Sequence, residues 1–167
     1  QLLRTRIEQQ PELRSHASHL GYLTLSEAVS QFYELRQFKP AWTQDATVEA
    51  LLRELDAIRA DGLEPEDYHL TELRQRYAQR QTGTPNLSAD VELELLASQS
   101  YLRALAHLFR GKVKPIALDP QWNFSLHDIT AEAAFDIVNT AVESGDIGSA
   151  FDTARPQHPT YLAARQA

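Results

Sequence analysis

Apolar residues recur along this chain at helical spacing, and no segment reads convincingly as a strand. Residues 1–10 can form a helix closed by Pro11, with His16 and His19 following in a polar loop. Thr24 and Glu27 have the spacing of a capping box. Leu25, Ala28, Val29 and Phe32 then share one helical face, which Tyr33 widens. Lys39-Pro40 predicts the end of that helix, because the residue before a proline avoids the α region. Asp45 is the expected cap of the next helix, whose stripe is Val48, Leu51, Leu52, Leu55 and Ile58. Gly62 follows as a left-handed terminating residue. Pro65 suits a first helical position, Glu66 and Asp67 suit its positive end, and Leu70, Leu73 and Tyr77 carry that helix to about Arg80. Residues 81–88 form a polar inter-helix loop.

Ser88 is the expected opening of the longest helix, about 89–110. Val91, Leu95, Ser98, Leu102, Leu105 and Phe109 step along it by fours and threes, and Leu96, Tyr101 and Leu108 add a second apolar flank. A helix apolar over that much of its surface packs on several sides, which makes it central. Gly111 ends it, and residues 112–126 read as irregular, with Pro115, Pro120 and Trp122. A further helix begins near Asp128 or Thr130, carries Phe135, Ile137, Val138 and Val142, and closes at Gly145. A short helix over about 147–154 stops before Pro156, and residues 160–167 begin another. The expected fold is all-α: a single domain over 1–167, an irregular bundle of about six to seven helices around a long central one.

Composition narrows the function. The 167 residues are 43% hydrophobic and 23% charged, which suits one globular domain with a real core. No apolar run is long enough to span a membrane. A formal net charge of -7 argues against nucleic acid or anionic lipid as the main partner. The compact basic cluster Arg110, Lys112 and Lys114 reads first as favourable charge at a helix C-terminus. The chain has no methionine, so Gln1 is not a translation start and a trimmed or processed segment is expected. It also has no cysteine, which excludes a disulfide, a thiolate nucleophile or a cysteine-based zinc site within it.

Catalytic constellations are sparse. There is no glycine-rich phosphate loop and no GxSxG. His16 and His19 are three apart but lack a nearby third ligand, so no metal site is expected. His107 reads as a satisfied or half-exposed histidine, and Glu92 and Glu94 as surface acids. No cofactor is implied. The less ordinary features are three turns bearing aromatics: Phe38–Trp42, Asp61–His69 and Leu118–Asn123. Trp42, Tyr68 and Trp122 beside these turns have two readings. They plug the ends of the helical core, or they form one apolar surface that Arg110, Lys112 and Lys114 would rim. On the second reading that surface lines a groove for a sugar or peptide, or forms an interface to another domain.

The ordered stretches FYELRQFKPAW (32–42), DGLEPEDYH (61–69), SYLRALAHLFRGKVKP (100–115), LDPQWN (118–123), GDIGSAF (145–151) and PQHPTY (156–161) resemble the scaffold domain of YcbB-type L,D-transpeptidases. The resemblance covers residues 25–165, with 1–24 as an N-terminal extension. It implies a periplasmic protein of a Gram-negative bacterium. It also implies partners in the same protein: a peptidoglycan-binding-like domain and a YkuD-type domain that forms 3→3 peptidoglycan cross-links with a cysteine nucleophile. No catalytic residue of that family transfers to a position in this chain, so the chain itself is expected to be non-catalytic, with peptidoglycan as a possible further contact. Two other classes stand beside this reading. One is a free-standing peptidoglycan- or peptide-binding module; the other is a small helical hydrolase of the lytic transglycosylase kind, which would need an acid in a deep cleft.

Overall fold

A computed structural model describes residues 2–9, 19–20, 23–111 and 131–166. Among these residues eight α-helices and two short 3-10 turns make an all-α bundle. The helices are α1 (Leu2–Gln9), α2 (Leu25–Leu35), α3 (Asp45–Ala57), α4 (Leu70–Thr82), α5 (Leu87–Arg110), α6 (Ala131–Ser144), α7 (Ile147–Ala154) and α8 (Pro159–Gln166). The 3-10 turns, Ile58–Asp61 and Pro65–Tyr68, lie between α3 and α4. One small addition to the expected picture precedes α2: β1 (His19–Leu20) and β2 (Leu23–Thr24) pair antiparallel, which puts His19 in a backbone ladder rather than a loop.

The 24-residue α5 is the axis, about 36 Å long at ~1.5 Å per residue. It packs against α2, α3, α4, α7 and the Pro65–Tyr68 turn. Its buried residues surround most of its circumference, from Val91 through Leu108, as the two apolar flanks predicted. The core continues into Phe32 and Tyr33 of α2, Leu51 and Leu55 of α3, and Phe151 of α7. Leu3 and Ile7 of α1 also belong to it.

Local chemistry explains most boundaries. Thr24 caps α2 in a reciprocal box: the Glu27 amide donates to Oγ1 of Thr24 at 3.2 Å, and the Thr24 amide donates to the Glu27 carboxylate at 2.7 Å. Gly62 and Gly145 take the left-handed conformation that ends the elements before them, with φ of 74° and 76°. Other ends differ from expectation. Gln44, not Asp45, is the cap of α3, and Asp45 is its first helical residue, its carboxylate bound by Arg80 at 2.8 Å. Asn86, not Ser88, caps α5, accepting from the amides of Ser88 and Ala89 at 3.1 and 3.3 Å. The helix α2 stops at Leu35, because Gln37 and Phe38 are left-handed (φ 53° and 57°) well before Pro40 acts. The helix expected to run from Pro65 to Arg80 is broken at His69, also left-handed at φ 56°. That break rotates Tyr68 into the core instead of along the α4 surface.

Candidate functional site

The aromatics singled out by sequence divide cleanly. Trp42 and Tyr68 are both 0% exposed, so neither contributes to an outward apolar surface; each is a core residue. Trp42 stacks edge-on against Tyr101 of α5 at 5.4 Å between ring centres, and its indole N–H donates to Oγ of Ser98 at 2.8 Å. Tyr68 meets His107 edge-on at 5.7 Å, and its hydroxyl lies 2.9 Å from Nδ1 of that histidine. Tyr101 in turn lies 6.1 Å from Phe151 of α7. Four of the motif stretches therefore meet one another through these rings. Trp122, Lys112 and Lys114 lie outside the described residues. Arg110 is half-buried and lines an apolar groove of about 160 Å³ between α5, α6 and α7. The walls of that groove include Leu102, Leu105, Phe109, Phe135 and Val138, not Trp42 or Tyr68.

Two buried polar nodes escaped the sequence reading. The first is Glu94, read from sequence as a surface acid but only 6% exposed. Its Oε1 accepts from the Tyr33 hydroxyl at 2.8 Å and from the Ala41 amide, and its Oε2 accepts from the Trp42 amide at 3.0 Å. Tyr33 also bonds Oγ of Ser98 at 2.7 Å. One carboxylate thus pins the Ala41-Trp42 backbone to α5. Burial raises the Glu94 pKa, against the lowering effect of the Ala41 amide, the Tyr33 hydroxyl and the Trp42 amide. Burial and then the Glu94 charge raise that of Tyr33 well above its ordinary value. The signal in the sequence was positional. Glu94 sits three residues after Val91 and four before Ser98, in the middle of the apolar stripe. Glu92, by contrast, is a surface acid, paired with Arg76 at 2.7 Å.

The second node is Asp61, whose side chain is 0% exposed. It accepts from Arg155 Nε at 3.1 Å, Tyr161 Oη at 2.6 Å and Arg165 Nε at 2.7 Å. Arg155 also binds Glu54 at 2.9 Å and Asp152 at 2.7 Å. Asp61 and Tyr161 open and close two of the motif stretches, so this node joins a fifth stretch to the set.

A cleft of about 640 Å³ lies beside Trp42, bounded by Pro40, Arg80, Pro85 and Leu87, with Glu94 in its wall. Glu94 there is held by two backbone amides and a phenol, with both oxygens engaged, and Arg80 is committed to Asp45 and the Trp42 carbonyl. Among the described residues no cluster of His, Asp or Glu could hold a metal ion, and no helix is long and apolar enough to cross a membrane. What this arrangement does chemically is to lock backbone segments together.

A family model described as a scaffold domain matches residues 27–167. No curated protein and no solved structure matches the chain.

Proposed function

We propose, from the premise that the chain belongs to the scaffold-domain family, that it is the non-catalytic platform of a periplasmic L,D-transpeptidase of the YcbB type. In this reading it holds a peptidoglycan-binding-like domain and a YkuD-type catalytic domain in position for 3→3 cross-linking during cell-wall biogenesis. The observation that carries the proposal is the mutual engagement of the motif residues. Trp42, Tyr101 and Phe151 contact in series, Tyr68 contacts His107, and Asp61 is bound by Tyr161. Residues engaged in this way fix a rigid body, which is what a platform needs in order to set the geometry of a site elsewhere. The ordered motif stretches support the specific family, and on this reading thioacyl chemistry, which needs a cysteine this chain lacks, falls to another part of the protein.

The test uses purified sacculi and chromatography of the released muropeptides. The full-length protein is expected to make 3→3 cross-linked products, and this chain alone to make none. The catalytic domain without this chain should be impaired. Product from this chain alone, or full activity from the catalytic domain alone, would reject the platform reading. Sedimentation of this chain by sacculi, in a gene that stops near Ala167, would instead favour a free-standing binding module.

A further inference from the structure

We infer that α8 is a separable strap, latched to the domain by the single buried carboxylate of Asp61. None of its described residues, Pro159–Gln166, is buried, and Leu162 is 40% exposed. It packs mainly on the Ile58–Asp61 turn. Its hold there is polar. Tyr161 and Arg165 are four apart, so they share one helical face, and both donate to Oδ1 of Asp61, at 2.6 and 2.7 Å. The other oxygen of Asp61 accepts from Arg155, which belongs to the body of the domain through Glu54 of α3. Asp61 therefore faces both ways, one oxygen to the body and one to the strap.

The connection to α7 makes the strap separable. The chain between α7 and α8 runs through Pro156-Gln157-His158-Pro159, where the prolines interrupt helical hydrogen bonding and Gln157 bonds back to Asp152 and Arg155. The helical ladder of α7 therefore does not continue into α8. The charges around the node are Asp61, Glu54 and Asp152 against Arg155 and Arg165. Three carboxylates already face two guanidinium groups, so loss of Arg165 removes the strap's own cation from a node that stays negative and favours release of the strap.

Hydrogen exchange followed by mass spectrometry on the whole chain tests this. The variants are Y161F/R165Q, which removes the strap's donors and keeps the Asp61–Arg155 pair, and D61N, which removes the shared charge. In the wild type, α8 amides should be measurably protected. In Y161F/R165Q that protection should fall at least about tenfold while α5 amides keep theirs, the pattern of local rather than global opening. If D61N loses structure generally through Arg155, the double variant alone decides. Three results overturn the latch: wild-type α8 amides without protection, α8 protection unchanged in Y161F/R165Q, or α5 and α8 losing protection together in that variant.

Discussion

Glu94 places a carboxylate at a position that the apolar pattern assigns to the core, and its partners decide what that costs. Three donors converge on it: two backbone amides and the Tyr33 hydroxyl. A glutamine there would turn an N–H₂ toward one of these donors, leaving a buried N–H unsatisfied. Glu94→Gln should therefore destabilise the domain by about 1–3 kcal/mol in chemical denaturation, although the side chain is isosteric. The raised pKa of Glu94, caused first by burial, sets the sign of a pH effect. The folded state holds this proton to a higher pH than the unfolded chain does. The Glu94 contribution to stability is therefore greatest below the ordinary carboxylate range and falls as pH rises to the folded value. NMR titration of the Glu94 side-chain carbon should give a midpoint above that of an exposed glutamate. A midpoint at or below it would mean that the three donors outweigh burial. Sequence could mark Glu94 as an acid on an apolar stripe, but not as a staple, because its partners lie 52 to 61 positions away.

At the scale of elements, periodicity carried the reading where packing is helix on helix, and failed where single residues leave the α region. The course of α5 to Gly111 and the α7 span of 147–154 follow from spacing, glycine and Pro156, although the cap of α5 is Asn86 and not Ser88. The left-handed turns at Gln37, Phe38 and His69 were not legible, since none is a glycine and tertiary contacts of Phe38 and Tyr68 impose them. These turns decide which side of the chain Trp42 and Tyr68 face, and burial selects, for both, the first of the two readings, core plugs, over the outward surface. The core also sorts its residues by energy. Leu51 on α3 is fully enclosed, whereas Leu102 lines the groove of about 160 Å³ and has neighbours missing on that side. Leu51→Ala should cost about 3–5 kcal/mol and Leu102→Ala nearer 2 kcal/mol, because existing open space reduces the contacts that truncation can remove. Urea denaturation of the two variants checks the order, and a larger loss for Leu102 would show that the groove is filled in solution.

For the whole molecule, one body follows from the way α5 touches four other helices while Arg155 ties α3, the Ile58–Asp61 turn and the end of α7. Unfolding should be a single cooperative transition, with far-UV circular dichroism and indole fluorescence giving coincident midpoints. Arg155 is the sharpest probe of that unity. Its side chain is 5% exposed and neutralises Asp61, itself fully enclosed, together with the partly buried Glu54. Arg155→Ala leaves Glu54 without its cation and Asp61 with Arg165 alone, and removal of one partner from a buried ion pair typically costs about 3–5 kcal/mol. The variant should therefore lower the stability of all helices at once, not that of α7 alone, and its unfolding should keep the wild-type denaturant slope. In the full-length protein the platform reading adds a functional consequence. On that reading cross-linking by Arg155→Ala should fall in proportion to the folded fraction as temperature rises, because the residue acts by supporting geometry. If cross-linking is instead lost at temperatures where the variant remains fully folded, Arg155 acts on a partner directly, and the node it shares with Asp61 belongs to an interface.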